Sequence, residues 1–395
     1  MNNSSKIGIA PGPSLGLWVG LSVALIASSL AVLFWQFVNL EPGLDMPWMP
    51  ARLLGQGIDP YGAYLDPLTT SRQFLAQIPN MLHSTYVLFT PFGFLSWEWA
   101  KSIYALINLS LAVLVLFRIR AIFKLENAEF LFLATVFILS IPFRVTIYNG
   151  QFSLVALLGV LLFLERVTIA RSIGLGIALL KYSFAFPIAF IVLLSKDMRK
   201  HLLFIVLPAL SGLVVFHLMF QGDKDYSFTG MVIAPLLVAL VGTGIGASDL
   251  YSLFRAVLPE ASSLILVGVL VAIAAIGLAV AIWIRRLNLW SQISLICLVS
   301  LTILPHLIYD YVFLLPIVAL AIVGRSENLK WFIAPTVLWH WFLFGPFQTL
   351  SALAAIPETV SIVTGLVLNI FAAFGLLNDS NRTSELSQNS AKPLK

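Results

Sequence analysis

Long apolar runs follow one another along almost the whole chain and are separated by short polar segments. Many of them are about 15 to 24 residues long, close to the length that an α-helix needs to cross a bilayer. Only 10% of the 395 residues are charged and 59% are hydrophobic, whereas soluble domains carry roughly 25% charged residues. The sequence therefore predicts an all-α polytopic membrane protein.

The apolar runs predict a bundle of about 12 transmembrane helices. We expect the spans at residues 15–38, 99–117, 129–143, 151–165, 171–181, 183–195, 201–221, 262–284, 289–304, 309–324, 330–346 and 359–377. Because membrane helices form one bundle, residues 1–377 should be a single transmembrane domain. Residues 378–395 are polar and rich in Ser and Asn, which predicts a disordered cytoplasmic tail.

The basic residues predict an orientation, because Lys and Arg collect in alternate loops between the expected spans. Cytoplasmic loops are enriched in positive charge, so this pattern predicts a multi-pass cell-membrane protein with both termini in the cytoplasm. The net charge of +5 follows from the same bias, and we expect membrane lipids rather than nucleic acid as partners. Two apolar segments disturb the alternation. We expect 84–95 to be half-spanning or in-plane, and 173–194 to be two half-helices that meet at Lys181.

Ionisable residues on the expected outer side are the main functional signal. Charged side chains at membrane depth are costly and usually have a function. These residues come from distant parts of the sequence but should share one face of the bundle: Asp45, Arg52, Asp59, Arg144, Lys181, Arg255, His306 and Asp310.

The first outer loop contains the acids Glu41, Asp45 and Asp59. Asp45 is a candidate to remove a proton from a hydroxyl group, particularly if burial raises its pKa, although a solvated loop acid is the simpler interpretation. Glu41 has the same two interpretations and is the weaker candidate. Asp59 precedes Pro60, so a role in starting a turn competes strongly with a functional one.

His306 and Asp310 lie four residues apart, a spacing that puts both on one face of a helix. The pair could contact a phosphate or sugar oxygen, relay a proton, or cap a helix. Two ligands are weak evidence for a metal site, so we expect no metal. Lys181 could bind a phosphate or extend towards lipid headgroups, and Arg144 and Arg255 have the same two interpretations.

Motifs for nucleotides and soluble cofactors are missing from the sequence. It contains no Walker A loop, GxGxxG, HExxH, CxxC or GxSxG. Cys297 is the single cysteine, which excludes a disulfide framework and a thiolate metal site. We therefore expect no cofactor, and substrates that are carried by lipid or delivered from outside.

Six stretches, in order, resemble family 87 glycosyltransferases, polytopic membrane enzymes of the GT-C class. They are LDMPWMPARLLGQGIDPYGAY, YVLFTPFGFLSWEWAKSIYALINL, YNGQFSLVALLGVLLFLE, GLGIALLKYSFAFP, SDLYSLFRAV and LPHLIYDYVFLLP. The resemblance extends over most of the chain between residues 40 and 316. Two pieces depart from the family pattern: KYSFAFP replaces the frequent Lys-Pro, and SDLYSLFR stands where Asn-Gln-Ser is commoner.

The resemblance implies an inverting transferase that moves a hexose or pentose, usually mannose or a related sugar, from a polyprenyl-phosphate donor to a lipid or glycan acceptor. It assigns Asp45 as the catalytic base, and Lys181 and His306 to the donor phosphate. Arg255 matches a donor-phosphate position more weakly. The expected substrate pocket consists of Arg144, Gln151, Tyr309, Asp310, Arg52 and Asp59.

A transporter or flippase for a lipid-linked sugar or an ion is the alternative, with His306 and Asp310 as a proton relay. Many transporters have broken helices at matching positions in two halves. The sequence predicts one such break, at Lys181, and shows no counterpart in the second half. This favours the enzyme.

Overall fold

The computed structural model describes most of the chain after residue 46. The described ranges are 47–66, 78–163, 168–181, 199–222, 227–242, 248–258, 289–304, 306–323, 327–354 and 356–390, with single residues and short pieces between 19 and 34 and between 183 and 193. Asp45 and Glu41 lie outside the described residues, as does the expected span 262–284.

Every described element is a helix, which confirms the all-α prediction. The α-helices are α1 Trp48–Gly55, α2 Pro60–Leu65, α3 His83–Gly93, α4 Trp97–Phe123, α5 Asn127–Leu139, α6 Ile141–Asn149, α7 Ser153–Phe163, α8 Thr168–Ala178, α9 Leu203–Phe220, α10 Phe228–Gly242, α11 Leu250–Val257, α12 Leu289–Ile303, α13 Leu315–Val323, α14 Glu327–Leu338, α15 Phe344–Leu353 and α16 Glu358–Ser390. Shorter 3-10 helices occupy Leu179–Lys181, Arg199–Leu202 and Ile308–Leu314, and a π-helical turn occupies Trp339–Leu343.

Within these ranges, three helices are long and apolar enough to cross a membrane: Trp97–Phe123, Arg199–Phe220 and Glu358–Asn378. A fourth crossing results if α5 and α6, which meet at an angle of 59°, form one bent span. The long apolar helices support a membrane protein, and the expected count of about 12 spans stays a prediction.

The expected span 129–143 is broken at Ser140, and this boundary was wrong. The Ser140 hydroxyl accepts a hydrogen bond from the Phe143 amide at 3.3 Å and so caps the start of α6. Pro142, which has no N–H to donate, occupies the first turn of the same helix. A proline is tolerated there but cannot continue α5, so the chain bends.

Two expected half-elements agree with the described helices. α3 has 11 residues and is about 16 Å long at 1.5 Å per residue, too short to cross a bilayer. α8 ends at Ala178 and tightens into the 3-10 turn Leu179–Lys181, which agrees with the first of the two half-helices expected in 173–194. Most of the second half-helix lies outside the described residues, so the meeting point at Lys181 stays a prediction. At the other end of the chain, α16 continues to Ser390 and includes part of the tail expected to lack structure. The division at residue 378 stays a prediction.

α7 and α8 approach each other closely through two glycines. A Cβ atom on Gly159 would lie 2.6 Å from the Ala178 amide nitrogen, and one on Gly174 would lie 2.6 Å from the Gly159 carbonyl oxygen. Both obstacles are backbone atoms, which cannot rotate away. The close contact brings the first residue of α7, Ser153, to the end of α8, where Lys181 lies.

Substituting Gly174 by Ala should destabilise the protein by about 1–3 kcal/mol, because overpacking would push α7 and α8 apart. The matched control is Gly222→Ala, since a Cβ atom at Gly222 meets nothing within 4 Å. Thermal unfolding in detergent should show a lower Tm for the first variant alone. Equal Tm values for both variants would contradict the close contact.

Candidate functional site

A buried ion pair lies where α7, α8 and the 3-10 helix Ile308–Leu314 meet. The Lys181 ammonium pairs with the Asp310 carboxylate. Lys181 also donates to the Ser153 hydroxyl at 3.0 Å, and Ser153 donates to Asp310 Oδ1 at 2.8 Å. Three segments that are far apart in sequence are thus joined through one carboxylate.

His306 extends this group of residues. Its Nδ1 atom lies 2.9 Å from Asp310 Oδ2, and its Nε2 atom lies 3.2 Å from the Ser300 hydroxyl. Ser300 has one proton and donates it to the Ser183 carbonyl at 2.7 Å. Ser300 must therefore accept from Nε2, while an ionised Asp310 accepts from Nδ1. This hydrogen-bond pattern favours the doubly protonated, positively charged imidazolium form of His306.

These side chains differ in how far they are exposed to solvent. Those of His306 and Asp310 are 0% and 3% exposed, whereas that of Lys181 is 13% exposed. The Lys181 ammonium lies 4.4 Å from the centre of the Tyr309 ring, an attractive cation–π distance. Two of its three N–H groups are used by Asp310 and Ser153. Lys181 is thus the most accessible cation of the group.

A second buried carboxylate, Asp249, lies on the other side of His306. Its Oδ1 atom accepts from the Ser252 amide at 2.8 Å, which caps α11. Its Oδ2 atom accepts from the Ser252 hydroxyl at 2.8 Å and from the His306 backbone N–H at 3.3 Å. Burial raises the pKa of Asp249 to about 6, against the opposing effect of these hydrogen bonds.

Polar atoms without protein partners lie beside the turn between α6 and α7. Gly150 ends α6 in a left-handed conformation, with φ of 65°. Gln151 follows it and is 0% exposed, and neither of its amide atoms has a hydrogen-bond partner among the described residues. The same holds for Asn149 Oδ1 and for Arg144 Nε on α6. Buried polar groups normally have partners, so these atoms are candidates to bind a polar ligand or water.

A family model described as Glycosyltransferase family 87 matches residues 84–305, more than half of the chain. The chain belongs to glycosyltransferase family 87. The matched region contains Ser153, Lys181 and Asp249, and it ends directly before His306. Searches of curated proteins and of solved structures found no match.

The remaining expected site residues of this glycosyltransferase lie elsewhere or have other contacts. Arg52 lies in α1, 5.2 Å from the Trp48 ring. Asp59 caps α2 by accepting from the Tyr61 amide at 3.0 Å, which agrees with the turn interpretation. Arg255 is half-buried in α11, the helix that Asp249 caps. In the described part of the chain, no three His, Cys, Asp or Glu residues are placed to hold a metal ion.

The sequence predicted some members of this group of buried polar residues and not others, and their role in a site stays a prediction. The structure brings Lys181, His306, Asp310 and Tyr309 together as expected. His306, however, precedes a 3-10 helix rather than sharing an α-helix with Asp310, so that part of the prediction was wrong. The prediction missed three supporting residues: Ser153, Ser300 and Asp249. Of these, only Asp249 carries a sequence signal, since it directly precedes an amphipathic helix as an N-cap does.

Replacing Asp249 by Asn should change how stability depends on pH. The pKa of Asp249 in the folded protein, about 6, lies above its ordinary value of 3.8. Protonated Asp249 therefore contributes about 3 kcal/mol to the free energy of unfolding. This contribution is fully present below about pH 4 and is lost as the pH rises through 6. As the pH is raised from 4.5 to 7.5 in detergent, the Tm of the wild type should fall relative to the Tm of Asp249→Asn. A Tm difference that is the same at every pH would contradict the assignment.

Proposed function

We propose that this glycosyltransferase moves a hexose or pentose, mannose-like in character, from a polyprenyl-phosphate donor to a hydroxyl group of a lipid or glycan acceptor. The proposal depends above all on the buried Lys181–Asp310–His306 group, with its accessible lysine. Cationic side chains hold a phosphate through charge-assisted hydrogen bonds. Lys181 and His306 fill this role in the proposal.

Lys181 is the direct phosphate contact in this proposal. Its third N–H has no hydrogen-bond acceptor among the described residues, and its side chain is partly exposed. Both ring nitrogens of His306 already have partners. In one version of the proposal, His306 does not touch the phosphate and attracts it only through its positive charge. In the other, Ser300 moves away and His306 Nε2 then contacts the phosphate. Arg255 is a second candidate cation from α11.

The transfer itself is a single displacement with inversion. Asp45 takes the proton of the acceptor hydroxyl, and the oxygen attacks the anomeric carbon opposite the phosphate. The bond between that carbon and the phosphate oxygen breaks, and its electron pair stays on the phosphate. The donor is a phosphodiester with one negative charge, and the product is a monoester with a charge of about −1.5 to −2. In the proposal, Lys181 stabilises the charge that develops on the phosphate.

The unpartnered polar atoms near Gly150 supply the sugar contacts in this proposal. The Gln151 amide offers two donors and an acceptor, and Gln151 lies two residues before Ser153, which contacts Lys181. Arg144, Tyr309 and Asp310 complete this side of the pocket. Arg52 and Asp59 belong to the first outer loop and would line the acceptor side.

The proposed enzyme has a GT-C architecture with about 12 spans. It lies in the cell membrane with both termini in the cytoplasm, and it reacts at the outer face. In this arrangement α8, which ends at Ala178 before the 3-10 turn at Lys181, borders the substrate cavity, since a short helix is tolerated at membrane depth only there.

Substituting Asp45 by Asn should lower kcat for sugar transfer by roughly 10²–10⁴-fold, because the acceptor hydroxyl then keeps its proton. The matched control is Glu41→Gln, a carboxylate in the same loop that should remain solvated and leave kcat unchanged. The assay supplies purified protein with radiolabelled polyprenyl-phosphate sugars and candidate acceptors. Wild-type rates in the Asp45 variant would remove Asp45 from the role of base.

Substituting Lys181 by Met should raise the donor KM at least tenfold, because one contact to the phosphate and its positive charge are lost. The control is Lys330→Met, which removes the same charge from an exposed position in α14. Lys181→Arg keeps the charge and should recover part of the affinity. An unchanged donor KM in a folded Lys181 variant would contradict phosphate binding there.

The same preparation distinguishes an enzyme from a transporter. Sugar transfer to an acceptor in detergent, where no compartments exist, supports the enzyme. No transfer from any such donor, together with movement of lipid-linked sugar across reconstituted vesicles, would support the transporter.

A further inference from the structure

Asp249 makes more contacts than a helix cap requires. One carboxylate oxygen is enough to cap α11 through the Ser252 amide. The second oxygen accepts from the Ser252 hydroxyl and from the His306 backbone N–H, which lies 57 residues further along the chain. That long-range hydrogen bond joins α11 to the segment that holds the ion pair.

A neutral residue would cap α11 at lower cost. Asn and Ser are N-caps as good as Asp, and neither places a charge in a buried position. Asp249 is 0% exposed, and burial raises its pKa. A carboxylate kept where its charged form is disfavoured, and in contact with a functional segment, indicates a role beyond capping.

The segment that carries Asp249 is held from behind by α16. A Cβ atom on Gly365 would overlap the Ser248 side chain, so this glycine lets α16 pack directly against Ser248. Ser248 is itself 0% exposed. The residue before Asp249 is therefore packed against α16.

We propose that Asp249 is a positioning residue for the transfer reaction: its carboxylate fixes the main chain at His306, keeps the ring against Asp310, and joins α11 with Arg255 to the Lys181 ion pair. This inference rests on the proposed function. Asp249 does not touch the substrate, and it acts through His306.

The charge of Asp249 also favours the positively charged form of His306. Around His306, the elements packed together carry the carboxylates Asp249 and Asp310 and the cations Lys181, Arg144 and Arg255. Their other described titratable groups are Tyr148, Tyr251, Tyr309, Tyr311, Cys297 and His340. Removing one of two nearby negative charges should make the positively charged form of His306 less favourable.

The decisive variant is Asp249→Asn, because Asn caps a helix as well as Asp does. Its NH2 group would replace Oδ2 and would face the His306 N–H, so a donor would meet a donor. If Asp249 only caps α11, the kcat/KM of this variant for the donor should equal that of the wild type. If Asp249 positions His306, kcat/KM for the donor should fall by roughly tenfold, the size expected when a buried donor loses its acceptor. The alkaline limb of the pH–activity profile should also move to lower pH.

Ser252→Ala is the matched control. It removes the Ser252 hydroxyl from Asp249 but keeps the Ser252 amide and the contact to His306. At a pH well above 6, where Asp249 is ionised in both proteins, its kcat/KM for the donor should match that of the wild type. A Tm measurement on each variant separates a loss of activity from a loss of folding.

A second readout does not depend on any substrate. Histidine labelled with ¹⁵N reports ring protonation by NMR, and His306→Gln assigns the His306 signal among the five histidines. The His306 signal should titrate at lower pH in Asp249→Asn than in the wild type. An unchanged His306 titration would overturn the proposal, as would an Asp249→Asn enzyme as active as wild type. A shifted titration in a protein that transfers no sugar would refute the proposed function and leave the contact between Asp249 and His306 standing.

Discussion

The buried carboxylate of Asp310 is the constraint on which the described site depends. An ionised carboxylate away from water is stable only when cations and hydrogen-bond donors surround it. Asp310 has three such partners: Lys181, Ser153 and His306. Each partner belongs to a different segment. The fold must therefore bring the end of α8, the start of α7 and the turn before the 3-10 helix to within hydrogen-bond distance.

Three local features of the backbone bring these segments together. Gly159 and Gly174 let α7 and α8 approach to backbone contact, which aligns Ser153 with Lys181. Gly150 ends α6 in a left-handed conformation and lets the chain reverse into α7. The 3-10 turn at Leu179–Lys181 tightens the end of α8. The helix end at Gly150 and the 3-10 turn leave backbone groups without an α-helical partner, which is tolerated inside a membrane only beside protein or a cavity.

The sequence pointed to the charged residues of this group but not to the residues that hydrogen-bond to them. Lys181, His306 and Asp310 stand out because charges interrupt apolar runs, and their cost demands an explanation. Ser153 and Ser300 do not stand out, since serine is common in membrane helices and often bonds to its own backbone. Helix content follows from the apolar runs, whereas the break at Ser140 depends on a local cap and on Pro142. Long-range contacts such as that of Asp249 with His306 have no signature in a single sequence.

The balance of charge explains why two carboxylates occupy a site that should bind an anion. Lys181 and a protonated His306 would repel each other in a medium of low dielectric constant, and neither could remain buried alone. Asp310 and Asp249 offset these two positive charges, which stabilises the buried cations. The carboxylates weaken the attraction for a phosphate, yet they hold the cations in place. Lys181 is the most accessible member of the group. In the proposal, the negatively charged phosphate of a donor would therefore contact the Lys181 ammonium, while the two carboxylates are more deeply buried.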